Sequence, residues 1–231
     1  MAHNFRLLSM AKVVTEFIGT FFLILAISCG ALVAPGWHPF VIGLSLALMV
    51  YMGGSISGAQ FNPAVTLGVR SLGKMPAKDV APYIGAQILA GISAMTVGYF
   101  IQRQQGIVGA ASGSLPSEMF AVAALVEFIF TFMLMLVILN VAATDRTKGN
   151  SFYGLAIGGA VVVGASIGGP VSGGAFNPAV GIAVAFNRIL NGGSIDIPLL
   201  LIHIILPIAG VFVATKVFAM QEKVLVEIEA K

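Results

Sequence analysis

Six apolar runs separated by short polar breaks constrain this chain more than any other feature, because a run of about 20 residues is what crosses a bilayer core as a helix. They fall near residues 12–32, 40–55, 80–101, 119–142, 152–167 and 197–219. Only 9% of the 231 residues are charged, against roughly a quarter in a soluble domain. A soluble fold is excluded, and the runs leave no room for a sizeable soluble domain. Two shorter apolar stretches, 62–72 and 177–190, have about half the spanning length and read as re-entrant half-helices. The first run is too long for a signal-peptide core and reads as a retained span. The expected class is an all-α membrane protein, one domain over residues 1–231 with six transmembrane helices and two half-helices.

Charge placement sets the expected orientation. Arg6, Lys12, Arg70, Lys74, Lys78, Arg146, Lys148, Lys216, Lys223 and Lys231 all fall on one side of such a topology. Arg103 and Arg188 alone fall on the other. Basic residues concentrate on cytoplasmic loops, so both termini are expected in the cytoplasm. The cell (cytoplasmic) membrane is the expected location, with an organelle membrane as the alternative. Residues 221–231 alternate charged and apolar side chains and read as a continuation of the last helix beyond the bilayer.

The two halves of the chain repeat. Thr15-Glu16-Phe17-Ile18 is echoed by Val126-Glu127-Phe128-Ile129, at an offset of 111 residues. Ser57-Gly58-Ala59-Gln60-Phe61-Asn62-Pro63-Ala64-Val65 is echoed by Ser172-Gly173-Gly174-Ala175-Phe176-Asn177-Pro178-Ala179-Val180, at an offset of 115. Each repeat, near 10–104 and 119–219, holds three spans. An odd number makes the second repeat enter the membrane upside down, an inverted arrangement that places a substrate path where the repeats meet.

The repeated Asn-Pro-Ala has a physical reading. Asparagine is a favoured N-cap, and proline is favoured at the first helical position, where its missing N–H costs nothing. Asn62-Pro63-Ala64 and Asn177-Pro178-Ala179 therefore read as helix starts. Half-helices entering from opposite faces would meet near the midplane with their N-termini together, each carrying about half a positive charge. That field opposes cations and leaves neutral molecules unaffected. The asparagine amides can also donate to a permeating oxygen.

On these motifs the chain resembles the aquaporin, or major intrinsic protein, family over essentially its whole length. The resemblance implies an aquaporin-like right-handed bundle assembled as a homotetramer in the lipid bilayer, each subunit with its own pore for water and small neutral solutes. It also implies that Asn62 and Asn177 are the paired pore asparagines. Glu16 and Glu127 would be expensive within a span unless paired or functional. Two readings are open: each accepts hydrogen bonds from the loop leading into a half-helix, or each is a proton-coupling site. The resemblance implies the structural role.

In the resembled family selectivity is set by four positions, and counting from the asparagines carries them to Ile42, Ala165, Gly174 and Val180, with Gly164 as the alternative to Ala165. The family usually has arginine directly after the second Asn-Pro-Ala, where this chain has Val180. Arginine would narrow the pore, donate several hydrogen bonds and add a fixed charge, and valine does none of these. Plant tonoplast aquaporins similarly carry valine, which implies permeability to ammonia and urea besides water. The glycerol-conducting branch usually has an acidic residue next, where this chain has Gly181. The expected function is passive conduction of water, ammonia and urea, with glycerol and hydrogen peroxide as further candidates, and exclusion of ions and protons.

A secondary transporter built on inverted repeats is the competing reading, but it would need intramembrane charges beyond Glu16 and Glu127. An enzyme finds no support in a His-Glu-x-x-His motif or an Asp pair on facing spans. The single cysteine, Cys29, forms no intrachain disulfide, and no two of the three histidines have metal-pair spacing. His203 reads as a satisfied core residue, and no metal or cofactor is called for. Nucleic-acid binding has no support, since the sequence holds no basic cluster with interleaved aromatics. Gly154 with Gly158, and Gly164 with Gly168, suit close helix approach.

Overall fold

The computed structural model describes residues 2–34, 36–107 and 114–229; Lys231, counted among the basic residues above, lies outside them. Among the described residues the chain forms α1 Ala2–Ser28, α2 His38–Gly53, α3 Pro63–Ser71, α4 Ala77–Gln104, α5 Phe120–Ala142, α6 Tyr153–Ser172, α7 Pro178–Leu190 and α8 Ile197–Glu229. Five of these, α1, α4, α5, α6 and α8, are long and apolar enough to cross a bilayer unaided. Helix α2 has 16 residues, about 24 Å at the usual rise. Its hydrogen bonding runs on past Gly53, through Ser57 N–H to Gly53 O (2.9 Å) and Gly58 N–H to Gly54 O (3.2 Å), which lengthens this shorter apolar helix by about a turn.

Two span ends differ from the sequence expectation, each with a local cause. The first span ends at Ser28, and Cys29–Leu32 tightens into a 3-10 turn. There His38 and Gln102 take the carbonyls of Ile27 and Ser28 and end the ladder. Helix α6 runs to Ser172 instead of stopping near 167. Pro170 lies in its last turn and removes a single ladder bond, and left-handed Gly173 (φ 88°) closes the helix by donating to Gly169 O. Helix α8 continues to Glu229, as expected for the tail. The Arg146–Glu222 ion pair joins that extension to the 3-10 turn Asp145–Thr147.

The repeats pack alike. Helix α1 lies on α4 and α5 on α8, while α2 crosses α6 on the boundary between the halves. That crossing has glycine on both sides at the same repeat position. A Cβ on Gly43 would stand 2.5 Å from Gly158 O, and one on Gly158 would stand 2.3 Å from Gly43 O. Neither backbone can yield without separating the helices. Gly158→Ala is expected to cost about 1–3 kcal/mol, the range for overpacking a tight contact. A lower midpoint of thermal unfolding in detergent would show it, and an unchanged midpoint would contradict the close crossing. Gly154 meets the Tyr51 ring, and Gly164 and Gly168 meet Phe176, in line with the close approach expected for all four. The outer surface carries large apolar side chains such as Leu44, Leu89, Phe100 and Leu155, while glutamate, threonine and asparagine are buried inside. This distribution suits a lipid solvent.

Candidate functional site

The half-helices meet N-terminus to N-terminus at the boundary of the repeats. Asn62 caps α3 by accepting from Ala64 N–H, and Asn177 caps α7 by accepting from Ala179 N–H, both at 2.9 Å. Pro63 and Pro178 hold the first helical positions. Each asparagine amide also donates across the boundary, Asn62 Nδ2 to Phe176 O and Asn177 Nδ2 to Phe61 O, again at 2.9 Å. An amide has two N–H groups, so this reciprocal pair leaves one donor on each asparagine for another acceptor.

The carbonyls are aimed by unusual backbone. Phe61 and Phe176 have φ of 50° and 49°, in the left-handed region, which costs roughly 1–2 kcal/mol for a residue with a Cβ. Two buried carboxylates hold it there. Glu16 accepts from Ser57 Oγ (2.7 Å), Gln60 N (3.0 Å), Phe61 N (2.7 Å) and Gln87 Nε2 (2.9 Å). Glu127 accepts from Ser172 Oγ (2.6 Å), Ala175 N (2.9 Å) and Phe176 N (2.7 Å). His203 supports the second carboxylate, with Nε2 at 2.7 Å from Ser172 O and 3.7 Å from Glu127 Oε1. Because a carbonyl only accepts, Nε2 of His203 bears a hydrogen. Both phenylalanine rings are buried, Phe61 against Gly19 and Phe176 against Gly164, Gly168 and Phe130.

Two cavities flank this junction. The first, of about 120 Å³, reaches both asparagines and is lined also by His38 at the head of α2. Ile42, Ala165, Gly174 and Val180 all line it. Gly164 instead packs against Phe176, in the loop before α7, and Phe130 of α5. The second, of about 460 Å³, opens among the ends of α5 and α6 and takes Asp145, Lys148 and Tyr153 into its wall. Ala59, Gln60, Val65, Ile138 and Ile157 line both, so the two meet beside Asn62. The result is a path between the repeats, apolar along most of the first cavity, with polar groups at the half-helix starts and at the 145–150 end of the second.

Several contributors were not legible beforehand. Ser57 and Ser172 lie in the repeated motif, which flagged them without assigning a partner. Gln87 and His203 stand 116 residues apart beside the two glutamates, Gln87 bonding Glu16 directly and His203 bonding the Ser172 carbonyl next to Glu127, and they share no letter for a comparison to catch. The stretch Gly164-Ala165-Ser166-Ile167-Gly168 has the spacing of a hydrolase nucleophile turn. Ser166 is instead an exposed residue within α6 that donates to Val162 O (2.7 Å), without the strained strand-to-helix turn that chemistry needs.

Comparison with known proteins agrees with this architecture. Nodulin-26 from Glycine max is 40% identical over 187 residues, covering 77% of this chain and 67% of that protein. Aquaporin NIP1-2 from Arabidopsis thaliana is 35% identical over 215 residues, covering 87% and 70%. The crystal structure of the aquaglyceroporin from Plasmodium falciparum superposes with a TM-score of 0.79 at 22% identity, covering 90% of this chain and 94% of that one, and shows the shared fold. Residues 4–218 match the family described as major intrinsic protein, and the chain belongs to that family.

Proposed function

We propose that this chain is a passive membrane channel, not an enzyme, that passes water and small uncharged solutes and turns ions back at the paired half-helix starts. The observation that carries the reading is the reciprocal bonding of Asn62 and Asn177 at the meeting point of two cavities. Two helix N-termini there present about one positive charge between them, in a path with little water to screen it. A permeating water that accepts from both remaining amide donors points its hydrogens away along the file, which interrupts proton relay.

Selectivity is assigned to Ile42, Ala165, Gly174 and Val180. All four are small or aliphatic, so these positions offer neither a guanidinium fork nor an aromatic ring to reject a solute larger than water. Ammonia and urea are the expected additional solutes, with glycerol and hydrogen peroxide next. Glu16 and Glu127 act as structural anchors of the half-helix loops, since three or four donors already occupy each carboxylate. The positive-inside bias supports cytoplasmic termini and, with them, a first cavity that opens on the outer face of the cell membrane. A homotetramer, one pore per subunit, is the proposed assembly.

A permeability panel in proteoliposomes tests this filter. Water, ammonia and urea should all exceed the protein-free rate. Passage of water with exclusion of every larger solute would overturn the filter assignment while leaving the channel in place.

A further inference from the structure

The first cavity has one ionisable side chain in its lining among the described residues, His38. It stands at the first position of α2, one turn before Ile42, so the two share a helix face. Its ring is seated. A Cβ on Gly30 would fall 2.0–2.5 Å from three ring atoms, so the imidazole occupies space that only glycine leaves open. On the same side Nε2 lies 3.2 Å from Ile27 O at the end of α1. A carbonyl only accepts, so Nε2 carries a hydrogen whatever the charge of the ring, and the other nitrogen, Nδ1, changes with protonation. No partner for Nδ1 occurs among the described residues.

We infer that His38 is a specificity-determining residue of the pore, whose Nδ1 accepts a hydrogen bond from a permeating N–H or O–H when the ring is neutral and becomes a charged donor when it is protonated. This inference rests on the channel reading. The physical case is the contrast with the rest of the wall. Val180, Ile42 and Ala165 offer a solute no side-chain hydrogen bond, so one imidazole beside them changes the polarity of the whole entrance. Imidazole is the side chain that changes charge across roughly pH 5–8, and a cation in a narrow apolar cavity is felt far more strongly than in bulk water.

Few charged groups compete with it. From α1 and the Cys29–Leu32 turn, the titratable neighbour is Cys29, whose sulfur turns toward Gly98 and whose thiol burial pushes up, leaving it neutral. Arg103 at the end of α4 lies over the Tyr99 ring and lines a separate small cavity. Asp196 is engaged by the N–H groups of Leu115 and Leu199.

The test is the ratio of urea flux to water flux in proteoliposomes at about pH 8 and about pH 5.5, values that bracket imidazole titration. On acidification the ratio in the unsubstituted protein is expected to fall about two- to tenfold, the worth of one hydrogen bond to the solute. His38→Gln, with a non-titrating amide, should give the same ratio at both values. Gly30→Ala, which pushes the ring out of its seat, should lose the response as well. A ratio independent of pH in the unsubstituted protein, or a full response in either variant, would overturn the inference. Absence of both water and urea flux at either pH would instead overturn the channel reading beneath it.

Discussion

Val180→Arg should lower urea, ammonia and glycerol flux by about tenfold or more while reducing water flux far less, a tenfold loss being ~1.4 kcal/mol added to the barrier. Val180 is buried in the first turn of α7 and forms part of the wall of a cavity of only about 120 Å³. Arginine there introduces a three-carbon stem and a planar fork with five donors, which narrows the passage and holds water in front of it. Water can accept from that fork and still pass, whereas a solute wider than the remaining gap cannot. The new cation also faces the positive end of α7, which costs about 0.3–1 kcal/mol. Flux is therefore read per inserted channel, with insertion checked by the yield of monodisperse protein. Equal loss of water and urea flux would show that Val180 does not discriminate between them.

Glu127→Gln is expected to be the most damaging conservative substitution. The carboxylate is fully buried and accepts from Ser172 Oγ, Ala175 N and Phe176 N with its two oxygens. A carboxamide keeps one acceptor and turns an NH2 group toward a backbone N–H, so at least one buried donor is orphaned. The cost is about 3 kcal/mol, combining a lost charge-assisted bond with the desolvation of its partner. Phe176 then loses the bond that holds its left-handed backbone, and its carbonyl no longer meets Asn177's opposite number, Asn62. Reduced yield of folded protein and a lower unfolding midpoint are the expected readouts. A variant that folds normally but transports with altered pH dependence would favour the proton-coupling role instead.

Much of the architecture was legible because a bilayer admits few solutions. Apolar runs of spanning length must be helices there, and the second copy of a three-span unit must enter inverted. The doubled Asn-Pro-Ala located the half-helix starts, since cap and first-turn proline are local chemistry that needs no tertiary knowledge. What was not legible is tertiary. The reciprocal bonds of Asn62 and Asn177 join residues more than a hundred positions apart, and nothing in either motif states that one half's amide meets the other half's carbonyl. The left-handed Phe61 and Phe176 are equally hidden, because phenylalanine gives no sign of a positive φ. Helix α6 outran its expected end because Gly168-Gly169-Pro170 reads as a breaker, while a proline in a last turn interrupts only one bond. His38 gave no signal either; its place in the pore depends on the space left beside Gly30, eight residues earlier.

The most direct measurement is stopped-flow light scattering on proteoliposomes, following the osmotic response at several temperatures with and without an ion or proton gradient. A passive path between the repeats predicts water flux well above that of protein-free vesicles, with a low activation energy and the same rate whether or not a gradient is present. Flux no faster than through lipid alone, or flux that appears only when a gradient is imposed, would contradict it.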